Sequence, residues 1–230
     1  MTSLRERATA EEQMDAAELP PEDYAAVLAD LARVNAVTLA ARPTLAFLDR
    51  IARPGDRLKV LDVGYGHGDM LRRVARWGER RGIACELVGI DLNPHSEAIA
   101  REATPSALPI SYRTGDYADL AGEHWDAVIS SLVAHHMSAE QLIAFLRFMD
   151  REARRGWLVN DLHRHRLAHI GYPLLARLMG WHRIVREDGR LSIARAFRPQ
   201  EWRMILADAG IAGAQVRRCF PFRLCVSRVR

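Results

Sequence analysis

Three apolar runs in this 230-residue chain each carry an aspartate at their C-terminal end. RLKVLDV (57–63) holds Asp62, ACELVGID (84–91) closes on Asp91, and ISYRTGD (110–116) closes on Asp116. RLKVLDV reads as a buried strand, and the other two read as a second and a third strand. Between them, DMLRRVARWGERRG and HSEAIAREA repeat apolar residues at helical spacing, the first stopped by Gly82. WDAVISSLV and GWLVND add two strands on either side of the helix SAEQLIAFLRFMDREA, where Ser138 and Gln141 are spaced as a capping box. Strands alternating with helices imply a parallel α/β sheet covered on both sides.

The flanks depart from that rhythm. Residues 1 to about 18 read as a polar arm. PPEDYAAVLADLARVN places Tyr24, Val27, Leu28, Leu31 and Val34 on one helical face, and a second helix is expected after Pro43 through Leu45, Leu48 and Ile51. PGDR at 54–57 is a turn. Between 162 and 197 no strand is found: LAHIGYPLLARLM looks helical and EDGR looks like a turn. PQEWRMILADAG resumes as a helix from Pro199, and GAQVRRCF and PFRLCVSRV end the chain as two strands joined closely at Phe220-Pro221, which favours an antiparallel pair. The expected organisation is an N-terminal arm and helical cap over 1–53 and an α/β domain over 54–230. A helical lid at about 162–197 belongs to the second. Tyr172, Leu175, Met179 and Trp181 are its candidate apolar wall.

Composition narrows the function classes. The net charge is +4, and of 33 basic residues only Lys59 is a lysine; the arginines are scattered rather than clustered with aromatics, as a nucleic-acid surface would require. Three cysteines (Cys85, Cys219, Cys225) without ligand spacing fit a reducing compartment and no disulfide. The N-terminus is polar, and no apolar run approaches the roughly 20 residues of a membrane span. The expectation is a soluble, cytoplasmic protein.

DVGYGHGD follows the first strand. Gly64, Gly66 and Gly68 let the backbone turn sharply and approach a ligand. A dinucleotide fingerprint wants its third glycine one place later, where Asp69 stands, and an acid at a helix start opposes a pyrophosphate. Asp62 also suits a positively charged group on the ligand, such as an amine or a sulfonium. Asp91 at the second strand end can accept both hydroxyls of an unphosphorylated ribose. Asp116 can accept from an adenine amino group, with Leu92 and Tyr117 on the ring faces. Open parallel sheets bind ligands at these strand ends.

In order and spacing, DVGYGHG, VGIDLNP, RTGDYADL and WDAVISSLVAHHM resemble class I S-adenosylmethionine-dependent methyltransferases, and with the closing strand pair the resemblance spans 58–230. It implies a Rossmann-like, seven-stranded, mostly parallel sheet of order 3-2-1-4-5-7-6 with strand 7 antiparallel. It also implies S-adenosyl-L-methionine as cofactor. Asp62 and Gly64 would then lie beside its methionine part, Asp91 on its ribose and Asp116 on its adenine. Tyr65, Gly66, Gly68, Leu92, Tyr117 and Ser131 complete the expected set.

LVAHHMS puts His135 and His136 just past strand four, and histidine suits removal of an acceptor proton. His136 is the preferred base. This pair resembles that of bacterial quinone- and polyketide-type small-molecule methyltransferases. In NDLHRHRLAH, Asn160, Asp161 and His163 are expected to line the acceptor pocket with Tyr172; the i, i+2, i+6 spacing of His163, His165 and His169 fits no single helical face, so no metal is expected there. The expected reaction is O-methylation of a phenolic small molecule by a monomer or homodimer, with C- or N-methylation as the alternative. Base methylation is disfavoured because the D/N-P-P-Y-type motif is replaced by SSLVAHH, and Asp62 and Asp69 disfavour a nicotinamide enzyme. A non-catalytic cofactor-binding scaffold stays open.

Overall fold

A computed structural model describes residues 4–16 and 18–230. Strands β1 (Arg57–Val63), β2 (Ala84–Asp91), β3 (Ile110–Thr114), β4 (Trp125–Ser131), β5 (Ala153–Leu162), β6 (Gln215–Cys219) and β7 (Arg223–Val229) form one sheet. Its order is β3-β2-β1-β4-β5-β7-β6. β1 to β5 pair in parallel, and β7 runs antiparallel to both β5 and β6. This is the expected topology. It brings the C-terminal ends of β1, β2, β3 and β4 to one edge, where the aspartates and the histidine pair lie.

The helices are α1 (Pro21–Val37), α2 (Ala41–Ile51), α3 (Asp69–Arg81), α4 (Pro94–Glu102), α5 (Ala139–Glu152), α6 (Arg166–Leu178), α7 (Arg183–Arg195) and α8 (Pro199–Asp208). Two cores cover the sheet. Phe145, Leu146, Trp157, Trp202 and Val226 fill one with Leu61 and Val63; Phe47, Leu71, Val74 and Leu87 fill the other with Leu58 and Val60. β1 therefore buries alternate side chains on both faces, which is why it reads as a continuous apolar run. The Ser138–Gln141 capping box is formed at α5. α2 begins at Ala41, ahead of Pro43, which sits in its first turn and displaces no internal hydrogen bond. Among the described residues no single helix is long and apolar enough to cross a membrane.

Two expectations fail. EDGR is not a turn: it lies inside α7. Gly189 is there for packing, since a Cβ at that position would lie 2.2 Å from the Tyr172 ring. The N-terminal segment is not a free arm in its described part. Arg7 donates to the carbonyls of Arg195 (2.6 Å), His135 (2.6 Å) and Met137 (2.8 Å). A 3₁₀ turn at Gln13–Asp15 then docks on α7 through Asp188, which accepts from the Met14 N–H at 3.0 Å. A third apolar cluster joins α1 to the lid helices: Val27, Val34, Ala176, Trp181, Ile184 and Val185.

Candidate active site

The glycine loop and the ends of β1, β2 and β4 enclose a cavity of about 630 Å³. Gly64, Gly66 and Gly68 all have positive φ (75°, 50° and 76°), a region L-residues enter at a cost. The space each Cβ would need differs. At Gly64 it would meet Val133 Cγ2 at 2.3 Å, and at Gly68 the Tyr112 hydroxyl at 2.4 Å. Two of the three glycines thus answer to the protein's own packing. Gly66 meets Leu28 at an ordinary 3.4 Å and lines the cavity.

Asp91 holds the loop in shape. Its Oδ2 accepts from the Gly66 N–H and its Oδ1 from the Asn93 N–H, both at 2.9 Å. Asp62 is 1% exposed, lines the cavity, and has no hydrogen-bond partner at either oxygen. Burial first, then the neighbouring carboxylates Asp69 and Asp91, pushes its carboxyl well above the usual range. An orphaned buried carboxylate is costly, and a cationic group on a ligand would satisfy it. The residues therefore fit a cofactor carrying an amino group. Gly64, Tyr65, Leu92, Tyr117 and Ser131 also line this cavity, with Tyr117 braced against Phe145 and Phe148. Gly68 lies behind it, under Tyr112. Asp116 does not line it either: its carboxylate accepts from the Ala118 N–H at 2.8 Å and caps the 3₁₀ turn Tyr117–Leu120.

A second cavity of about 290 Å³ adjoins the first. Leu31, Met14, Leu132 and His136 border both. Its walls are mostly apolar: Val27 and Val34 from α1, Leu167, Tyr172 and Leu175 from α6, Ile184 and Val185 from α7, and Phe222 before β7. Tyr172 is fixed by a hydrogen bond to the Val185 carbonyl (2.8 Å) and by stacking on Trp181. Of the four expected wall residues, Tyr172 and Leu175 line this cavity, Trp181 supports Tyr172 from behind, and Met179 faces outward at 44% exposure. Leu132, with φ of 64°, is held between the cavities by its N–H bond to the Asn160 carbonyl. That conformation costs a leucine about 1–2 kcal/mol.

The histidines sit where the cavities meet. His136 Nδ1 lies 2.7 Å from Asp15 Oδ2, and His135 Nδ1 lies 2.7 Å from Asp161 Oδ1. Asp161 Oδ2 also accepts from the His135 N–H at 2.8 Å. Burial raises the Asp161 carboxyl, but the His135 imidazole beside it outweighs that and holds it below its ordinary value. A carboxylate only accepts, so each Nδ1 carries the proton and each Nε2 is left for other work. Both Nε2 atoms turn toward Glu12, which is 3% exposed and accepts from Ser192 Oγ at 2.7 Å while its Oε1 stays without a partner. Burial, offset in part by His136 and the Ser192 bond, pushes Glu12 up to about 7.

Three expected acceptor contacts are not in either cavity wall. Asn160 is fully buried and donates to the Ala40 carbonyl (2.8 Å) and Thr44 Oγ1 (3.1 Å), tying α2 to β5. Asp161 is spent on His135. His163 lies outside both cavities, its ring against His165 and its N–H bonded to the Phe222 carbonyl; burial, helped by nearby arginines, depresses it to about 4. β5 alternates its side chains, and its end is covered by α2 on one side and the histidine turn on the other.

Sequence reasoning missed Glu12, Asp15, Leu132 and Arg223. Arg223 is 3% exposed, lines the second cavity, and leaves one guanidinium nitrogen unpaired. The one available signal was an acid pair, Glu12 and Asp15, in a segment read as an arm.

The fold agrees with comparisons to known proteins. Residues 60–156 match a methyltransferase domain family. A ubiquinone biosynthesis O-methyltransferase of Azorhizobium caulinodans is 32% identical over 114 residues, 48% of this chain and 40% of the relative. One from Brucella anthropi is 27% identical over 168 residues, covering 69% and 62%. The chain thus spans less than two thirds of the length of these relatives. Magnesium protoporphyrin IX methyltransferase of Synechocystis, solved with bound SAH, superposes with a TM-score of 0.58 at 20% identity over 84% of this chain and 83% of that one. The match to a methyltransferase domain covers residues 60–156, and the sheet shares the fold of the solved methyltransferase.

Proposed function

We propose that the protein transfers a methyl group from S-adenosylmethionine to the hydroxyl of a phenolic small molecule held in the second cavity. The observation that carries this reading is the position of His136, on the wall shared by the two cavities. S-adenosylmethionine, when bound, supplies an electrophilic methyl group, so the protein's work is positioning and proton removal. Asp62 would take the amino group of the methionine part and Asp91 the ribose hydroxyls. Tyr117 and Leu92 would flank the adenine. His136, its Nδ1 proton held by Asp15, presents Nε2 to the acceptor hydroxyl. The 3₁₀ turn at Gln13–Asp15, α1 and the lid at about 162–197 form the roof that gives the acceptor an apolar slot and excludes water. Arg223 gives that slot one buried cation, which favours an acceptor bearing an acidic group.

The test is a panel of phenols with and without a carboxylate, turned over by wild type and His136→Ala. His136→Ala should lower turnover about 100-fold or more and leave S-adenosylhomocysteine affinity unchanged. Full turnover by the variant would remove His136 from the chemistry. Transfer to carbon or nitrogen rather than oxygen would show in the product.

A further inference from the structure

The cluster at the junction is richer than a single proton acceptor needs. Glu12, His135 and His136 each turn a donor atom to a common point, all within 4.8 Å of one another. His135 Nε2 is 3.7 Å from Glu12 Oε1, and His136 Nε2 is 3.9 Å from Glu12 Oε2. These separations are too long for hydrogen bonds. They suit ligands that share one ion at about 2.0–2.2 Å each.

The surroundings are arranged for the same purpose. Each imidazole gives its Nδ1 proton to a carboxylate, Asp161 or Asp15. That is how metal-binding histidines are oriented and made more basic. Glu12 Oε1 is buried without a partner. Arg195 Nε lies 3.7 Å from it but donates instead to the His135 carbonyl. The second cavity opens onto all three residues, leaving coordination positions free for a ligand, as catalytic rather than structural sites do. Two imidazoles and one carboxylate favour a first-row transition ion over calcium or magnesium.

We propose that Glu12, His135 and His136 bind a divalent transition-metal ion of the zinc type in the wall of the second cavity, beside its border with the first. Binding stands on this geometry alone. The ion's role rests on the methyl-transfer reading: it would acidify an acceptor hydroxyl, and His136 would then act as a ligand instead of taking the proton itself. His163, His165 and His169 form no such group among the described residues.

The experiment strips the full chain with a chelator and titrates it with Zn²⁺ by calorimetry, repeating with Co²⁺ for its visible absorption. Wild type should take up one equivalent. Glu12→Gln and His136→Gln should each weaken uptake by roughly 100-fold or more, and His163→Gln should not. Metal-free Glu12→Gln should melt no lower than wild type, because burial already opposes the charge of Glu12, and Zn²⁺ should raise the melting temperature of wild type but not of Glu12→Gln. No stoichiometric uptake by wild type, or uptake that survives both Glu12→Gln and His136→Gln, overturns the site. Undiminished methyl transfer by the stripped protein overturns the ion's role. Uptake without any methyl transfer would leave the site standing and remove the methyltransferase reading.

Discussion

The two cavities share a wall but are built in opposite ways. Most of the first is made by strand ends and the loops that leave them, in short segments at 62–70, 90–95, 115–117 and 131–137, with Met14, Leu19 and one face of α1 closing it over. The second is assembled from the 3₁₀ turn at Gln13–Asp15, α1, the turn after β4, α6, α7 and the strand pair at the end. No two of those pieces are neighbours in a motif. A site made from one repeated structural rule is fixed by the sheet. A site made from side chains of six such segments is fixed by how the covering helices dock, and it is free to vary in what it holds.

The largest expected effect breaks the first cavity and spares the second. Asp91→Ala removes the proposed ribose acceptor and the partner of the Gly66 N–H. S-adenosylhomocysteine affinity measured by calorimetry should fall by about 100-fold or more, since hydrogen bonds to a charged group are worth about 1.5–3 kcal/mol each. NAD should bind neither protein. Unchanged affinity, or a preference for NAD, would remove the ligand assigned to this cavity.

A smaller effect sharpens the claim that the glycines serve packing. Gly64→Ala and Gly122→Ala place a Cβ at similar positive φ, 75° and 81°. At Gly122 the Cβ meets open space, whereas at Gly64 it meets Val133. Both should lose the roughly 1–2 kcal/mol of the left-handed region. Gly64→Ala should lose 1–3 kcal/mol more from overpacking, read as a shift in urea midpoint. Equal losses would mean that Val133 simply moves aside.

The smallest effect is in pH. Asp62 in the free protein titrates well above an ordinary carboxyl, because burial and then Asp69 and Asp91 oppose its charge. A folded pKa above the unfolded one means its contribution is whole below about pH 4, the unfolded value. That contribution is lost as pH rises through the folded value. Asp62→Asn should therefore flatten a fall in melting temperature on the alkaline side of pH 4. Saturating S-adenosylhomocysteine, whose amino group is proposed to pair with the carboxylate, should flatten it as well. Ligand binding should then release a proton, visible as a buffer-dependent heat. A melting temperature with the same pH dependence in wild type and Asp62→Asn would show that Asp62 does not carry this effect.

Much of the fold was legible because periodicity reports burial. Leu58, Val60, Leu61 and Val63 are apolar on both faces of β1 because both faces are covered. Gly82 stops α3 in the left-handed conformation that its position suggests. The aspartates at β1 and β2 were legible for the same reason, as polar residues at the ends of buried runs. Asp116 was not, because a strand-end aspartate that caps its own turn looks the same in sequence as one that faces a ligand. Asn160 and Asp161 were misplaced because alternation says which residues share a face, not what covers it. EDGR misled because glycine in a polar run signals a turn, whereas Gly189 leaves room for the Tyr172 ring seventeen residues earlier in the chain. Glu12 was invisible for a plainer reason: nothing in a polar segment says that it will be buried against two histidines.

The docking of the described N-terminal segment has a consequence for how such a protein changes over generations. Glu12 and Asp15 supply two of the carboxylates at the junction, while the apolar wall comes from α1, α6 and α7. The two sets of traits are inherited on separate stretches of chain. Changes confined to residues 4–16 can re-equip the charge chemistry, and changes in the lid can reshape the slot, with the sheet and its ligand-holding loops left untouched. Diversification of acceptors can proceed here by independent steps, none of which has to pass through a broken fold.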